Sequence, residues 1–119
     1  MAINYIVAVV RESKVKSIVS KLYENDVPGV TVTPVRGYGE HANIYQQDIT
    51  EDNVKVEVFI AEKYAQHVAN LIMHSAHTGM DGDGVIAVMP VNDMYHIRDY
   101  SKLSENDLQL TKPSEPNPD

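Results

Sequence analysis

Residues 3–10, INYIVAVV, are apolar on both alternating faces apart from Asn4, and no other stretch constrains the fold as much. A strand with one face in water alternates apolar with polar residues, whereas one without that alternation must be covered on both sides. The chain therefore has to build a sheet around this strand and cover two faces of it. Arg11, Glu12 and Ser13 end the run. Val15, Ile18, Val19, Leu22 and Tyr23 then recur at helical spacing, with Lys14, Lys16, Ser20, Lys21 and Glu24 between them. That spacing predicts an amphipathic helix over 14–25 with Ser13 as its N-cap. Asp26, Pro28 and Gly29 stop it.

Residues 30–36 (VTVTPVR) are β-branched and alternate, which reads as a strand, and Pro34 places it at an edge or a bulge. The polar stretch 37–53 is 17 residues long. That is long for a hairpin loop in a compact domain and points to a working segment. Val54, Val56, Val58 and Ile60 alternate with Lys55, Glu57 and Phe59, which predicts a strand. Residues 62–77 read as a second helix with Ala65, Val68, Ala69, Ile72 and Ala76 on one face. Residues 85–89 (VIAVM) form a short strand stopped by Pro90, and 91–100 a short turn or strand. The order β-α-β-β-α-β matches the ferredoxin-like α+β arrangement, an antiparallel sheet with both helices on one face. The other face is then bare, and the doubly apolar first strand needs it covered. A trimer or dimer with its sheets facing inward supplies that cover.

The chain has 119 residues, enough for one domain, placed here at 1–103. It has no cysteine, which excludes disulfides, thiolate zinc sites and a cysteine nucleophile. The net charge of -7 argues against a nucleic-acid partner, which requires a basic face. No apolar run reaches the ~20 residues of a membrane span, and Met1-Ala2-Ile3-Asn4 lacks the basic start of a signal peptide. The expectation is a soluble, cytoplasmic protein. Residues 104–119 carry Glu105, Asp107, Glu115 and Asp119 against Lys112, together with Pro113, Pro116 and Pro118. This acidic, proline-containing tail is expected to be solvated and disordered rather than packed.

Four constellations carry chemistry. Gly37-Tyr38-Gly39-Glu40-His41-Ala42 formally fits a dinucleotide fingerprint, but no helix follows it, so a hinge for the long loop is the better reading. Thr78-Gly79-Met80-Asp81-Gly82-Asp83-Gly84 is too short for an EF-hand. It reads either as a plain tight turn or as a nest of backbone N–H groups for phosphate oxygens, with both Asp side chains turned away or on a sugar hydroxyl or metal. His67, His74 and His77 project from the second helix on the side opposite its apolar face, so solvated histidines outweigh a metal site. His96 and Arg98 flank Ile97, and on an extended segment they share one side and can grip a phosphate chain. No nucleophile or acid–base pair stands out, so the chain reads as a binding protein rather than an enzyme.

Taken in order, these segments closely resemble the PII signal-transduction family. Residues 29–39 resemble the phrase leading into that family's T-loop, 78–84 its B-loop, and 91–98 its C-loop. The likeness covers about residues 3–100. It implies a homotrimer of ferredoxin-like subunits that binds adenine nucleotide, ADP or ATP with AMP as a third candidate, in the clefts between subunits. Whether Mg accompanies the nucleotide is left open. By the same resemblance, Gly29 and Thr31 match positions contacting the base, Gly37, Tyr38 and Gly39 the loop start beside the nucleotide, and Glu57 a strand position near the adenine, with Phe59 of the nucleotide-binding set standing where an aliphatic residue is usual. Gly82, Asp83 and Gly84 match the phosphate loop, Val85 follows it, and His96 and Arg98 match the C-loop cations. Loop 40–53 is implied to dock on a regulated membrane transporter or metabolic enzyme according to nucleotide state.

The departures from that pattern are specific. Val85 replaces the family's lysine after the glycine loop, and His96 replaces its first C-loop arginine. Loss of permanent cations falls hardest on the most charged ligand, which predicts a weakened preference for ATP over ADP or AMP. A histidine in place of arginine predicts affinity that rises at acidic pH. The loop is shorter than in nitrogen-regulating members, Glu40 and His41 replace an Arg-Gln pair, and Asn53 replaces the lysine that closes on 2-oxoglutarate. Tyr45 is the one loop tyrosine beyond Tyr38, in surroundings unlike the family's uridylylated site. An energy-status sensor is therefore favoured over an orthodox nitrogen regulator responding to 2-oxoglutarate. It is also favoured over a metal-binding trimer of the CutA kind, whose handle is the outward histidines.

Overall fold

The computed structural model describes residues 2–39 and 47–111. Glu40, His41 and Tyr45 of the long loop, and the tail from Lys112 on, lie outside the described residues. Four strands alternate with two helices: β1 Ile3–Arg11, α1 Val15–Glu24, β2 Thr31–Gly37, β3 Glu51–Ala61, α2 Ala65–Ala76 and β4 Gly84–Val91. The sheet is antiparallel throughout, in the order β2-β3-β1-β4. The apolar strand β1 is central, as its composition requires, and this is the ferredoxin-like α+β fold.

One sheet face makes the core. Ile6, Ala8 and Val10 of β1 and Val54, Val56, Val58 and Ile60 of β3 are buried there against Ile18 and Leu22 of α1 and Val68, Ile72 and Ala76 of α2. On β1 the residues of opposite parity, Tyr5, Val7 and Val9, pair with Phe59, Glu57 and Lys55 on one side and with Met89, Ala87 and Val85 on the other. On this second face Val85 is 69% exposed, Met89 41% and Phe59 38%, so the apolar surface anticipated from β1 lies open in the single chain.

Several boundaries differ from the sequence reading. Each helix is preceded by a 3-10 turn, at Glu12–Lys14 and Glu62–Tyr64, so Ser13 sits inside the first turn and does not cap α1. β3 begins at Glu51 rather than Val54, because Glu51, Asp52 and Asn53 pair with Gly37, Arg36 and Val35. β4 runs through Pro90 to Val91, and β2 contains Pro34. Both are edge strands, where a residue without an N–H costs no ladder bond on the outer side.

The segment after Leu103 also differs from a disordered tail over 104–110. Ser104 and Asp107 form a reciprocal capping box on a 3-10 turn at Glu105–Asp107. The Ala61 N–H donates to the Leu108 carbonyl at 3.0 Å. Leu103 is buried and Leu110 packs on the core. Apolar leucines at these positions give the segment something to bury, which its charge count conceals.

Candidate functional site

The strand register brings two distant glycine segments to one end of the sheet. Gly37 pairs with Glu51 where β2 meets β3, and Gly84 pairs with Val10 where β4 meets β1. Since β1 lies between β3 and β4, both segments open beside Arg11. A cleft of about 600 Å³ forms there, lined by Gly37, Tyr38, Gly39, Gly82, Gly84 and Val85 together with Val9, Arg11, Ser13, Arg36 and Asn53. Six of the residues singled out from sequence thus share one cleft.

Within loop 78–83 the Asp83 carboxylate turns inward. It accepts from the Thr78 N–H at 2.8 Å, the Gly79 N–H at 2.9 Å and the Thr78 hydroxyl. Arg11 Nε donates to it at 3.3 Å. The Thr78 hydroxyl bond comes first among the interactions that hold the Asp83 carboxyl well below the usual carboxylate range. The second Arg11 contact, from a terminal nitrogen to the Asp81 carbonyl, spans 2.5 Å. Gly82 and Gly84 have φ of 91° and 109°. A Cβ at Gly84 would run into the Val9 carbonyl oxygen, so only glycine fits where β4 leaves the loop.

The stem of the long loop is fastened by charge. Arg36 donates to Asp52 at 2.5 Å and to Asp48 at 3.2 Å, and its side chain is half exposed. Asp48 also accepts from the Thr50 N–H at 2.9 Å and its hydroxyl at 2.6 Å, and these bonds lower its pKa.

The remaining site candidates lie elsewhere in the single chain. Thr31 pairs with Glu57 across β2 and β3, and Gly29 precedes them on the surface. Glu57 accepts a 2.5 Å hydrogen bond from the Tyr5 hydroxyl, which raises the Tyr5 pKa. Phe59 stacks on the Tyr5 ring with centroids 4.9 Å apart. His96 and Arg98 are exposed and do not line this cleft. They are not on an extended segment either: the His96 N–H donates to the Ser101 carbonyl at 2.8 Å, and Arg98 sits in the intervening turn. His67, His74 and His77 are exposed, and among the described residues no three His, Asp or Glu side chains gather as a metal site.

Sequence reasoning missed Arg11, Tyr5 and the Arg36 cluster as participants. Arg11 left a trace as the residue that ends the apolar run of β1. The Arg36–Asp52 pair required knowing that the polar residues after the loop belong to β3.

A family model described as "Nitrogen regulatory protein P-II" matches residues 3–101. Nitrogen regulatory protein GlnK2 of Haloferax mediterranei is 34% identical over 104 residues, covering 81% of this chain and 84% of the relative. The P-II protein of Azospirillum brasilense is 32% identical, covering 76% of this chain and 88% of the relative. A P-II homolog of Arabidopsis thaliana is 33% identical, and there the match covers 76% of this chain but only half of the relative's length. Among solved structures, Arabidopsis thaliana PII bound to citrate superposes with a TM-score of 0.75 at 32% identity, covering 87% of this chain and 91% of that one. The family match, the relatives and the fold agree with the three loop phrases of the sequence, and the chain belongs to the nitrogen regulatory protein P-II family.

Proposed function

We propose that this P-II family protein acts by binding rather than catalysis, as a trimeric sensor that takes up ADP, ATP or AMP at clefts between subunits. The cleft lined by Gly37–Gly39 on one side and by Gly82 and Gly84 on the other is the observation that carries this reading. Glycines on both sides let backbone N–H groups approach a phosphate closely. The location of His96 and Arg98 away from the cleft of their own chain fits a site completed by a neighbouring copy. The open apolar face of the sheet supplies the surface on which copies associate. Met89 and Phe59 lie on that face.

Nucleotide binding then biases the long loop between two states, and a membrane transporter or metabolic enzyme reads the result. Such a shift requires the nucleotides to differ in affinity for the two states. With Val85 in place of a cation, ATP is expected to bind no more than about tenfold more tightly than ADP, each lost ion pair being worth about one decade or more. Arg98→Ala is expected to weaken ADP binding about tenfold in calorimetry without dissociating the assembly. Unchanged affinity in that variant removes Arg98 from the site.

A carboxylate effector such as 2-oxoglutarate is a second reading, favoured by one observation. Arg11 and Asn53 are cross-strand partners and line the same cleft. Titration of 2-oxoglutarate with and without saturating ADP separates the two readings.

A further inference from the structure

Arg11 is the point where the central strand and the glycine loop are fastened together. It stands at the last position of β1, lines the cleft, and reaches residues 70 and 72 positions away in sequence. Its two contacts differ in kind. Nε meets the Asp83 carboxylate, which itself gathers the amides of Thr78 and Gly79, and a terminal nitrogen meets the Asp81 carbonyl. The planar guanidinium presents its donors in a fixed fork, so holding a carboxylate and a carbonyl together fixes the loop's position as well as its distance. A lysine ammonium has no such fork. The loop is thereby tied to β1 on one side of Gly82 by Asp81 and on the other by Asp83.

We infer that Arg11 is a positioning residue that presets the glycine loop 78–84, so that the cleft favours ligands carrying phosphate at that end. This inference rests on the nucleotide reading above. A loop already ordered before the ligand arrives spares the ligand the entropy of ordering it. The benefit goes to the part of the ligand that meets the loop. Removing Arg11 is therefore expected to penalise a phosphorylated nucleoside and to spare the nucleoside alone. Simple damage to the fold affects both alike.

The test uses the full-length assembled protein and two readouts. Hydrogen exchange without ligand is compared for wild type, Arg11→Ala, Arg11→Gln and Arg11→Lys. Calorimetry then measures ADP and adenosine on each. The inference predicts faster exchange at the Thr78 and Gly79 amides in Arg11→Ala, with β1 and β3 core amides unchanged. It predicts about tenfold weaker ADP binding with adenosine within about twofold, and only partial rescue by Arg11→Lys. Equal weakening of ADP and adenosine, full rescue by lysine, or unchanged exchange in 78–84 overturns it. If Arg11→Ala does not fold, Arg11→Gln removes the guanidinium, leaves Asp83 and its amide bonds in place, and carries the same predictions. Should wild type bind neither ligand, the nucleotide reading fails, and the exchange data alone decide whether Arg11 positions the loop.

Discussion

In loop 78–83, Asp83 turns back onto the amides of its own loop, whereas at the stem of the long loop Arg36 reaches from β2 across to Asp52 and Asp48 on the far side. Both loops line one cleft, and they differ in what is added to their backbone bonds. In the first loop the carboxylate satisfies N–H groups that any turn must satisfy, and the glycines adopt φ values that other residues rarely reach. The stem adds to its strand pairing a cluster of half-exposed charged side chains in water, where attraction is screened and side-chain entropy opposes the contact. One wall is thus held by a carboxylate inside its own loop, and the described part of the other by strand pairing and exposed ion pairs.

The largest effect expected from this contrast is at Gly84. Gly84→Ala meets both the left-handed backbone and the Val9 carbonyl, and is expected to cost roughly 3 kcal/mol or more in urea denaturation. A cost below about 1 kcal/mol would show that β4 can shift at its start.

Acid sharpens the contrast further. The Asp83 pKa is depressed in the folded protein, so its stabilising contribution is fully present above the ordinary carboxylate pKa of about 3.9 and is lost as pH falls through the lower folded value. Protection of the Thr78 and Gly79 amides is therefore expected to stay constant from pH 7 to about 5 and to fall only in strongly acidic solution. Loss of protection near pH 5 would remove the Asp83 carboxylate as the group that holds these two amides.

The smallest effect is expected at the stem. Arg36→Ala should lower the denaturation midpoint slightly at low ionic strength, and the difference should vanish at about 0.5 M salt, where the Debye length is only a few ångströms. A salt-independent loss would mean that the Arg36 cluster is structural in the same sense as the glycine loop.

How much of this was legible in the sequence follows from what each feature depends on. The element order was readable because apolar periodicity reports which residues face a core, and the alternation at Val54–Ile60 and the helical spacing at Val15–Leu22 are both strong. The start of β3 was not readable, because Glu51 and Asp52 are held in the sheet by an edge strand and a cross-strand ion pair rather than by burial. Ser104 and Asp107 carry a capping-box spacing that the acidic composition of the tail obscured. The two glycine phrases were visible, and their meeting in one cleft follows once β1 is placed between β3 and β4. Arg11 was visible only as the end of an apolar run, because its partners lie some 70 residues away and no local pattern links them. The same limit applies to Tyr5 and Glu57, whose hydrogen bond spans 52 residues.

Uptake of an adenine nucleotide by the cleft is the claim on which the others depend. Isothermal titration calorimetry with ADP near neutral pH tests this most directly. Saturable binding of about one ADP per subunit, weakened by Arg98→Ala, is the predicted result. No binding heat and no competition at millimolar ADP would contradict it, and would leave the P-II fold here serving a different ligand.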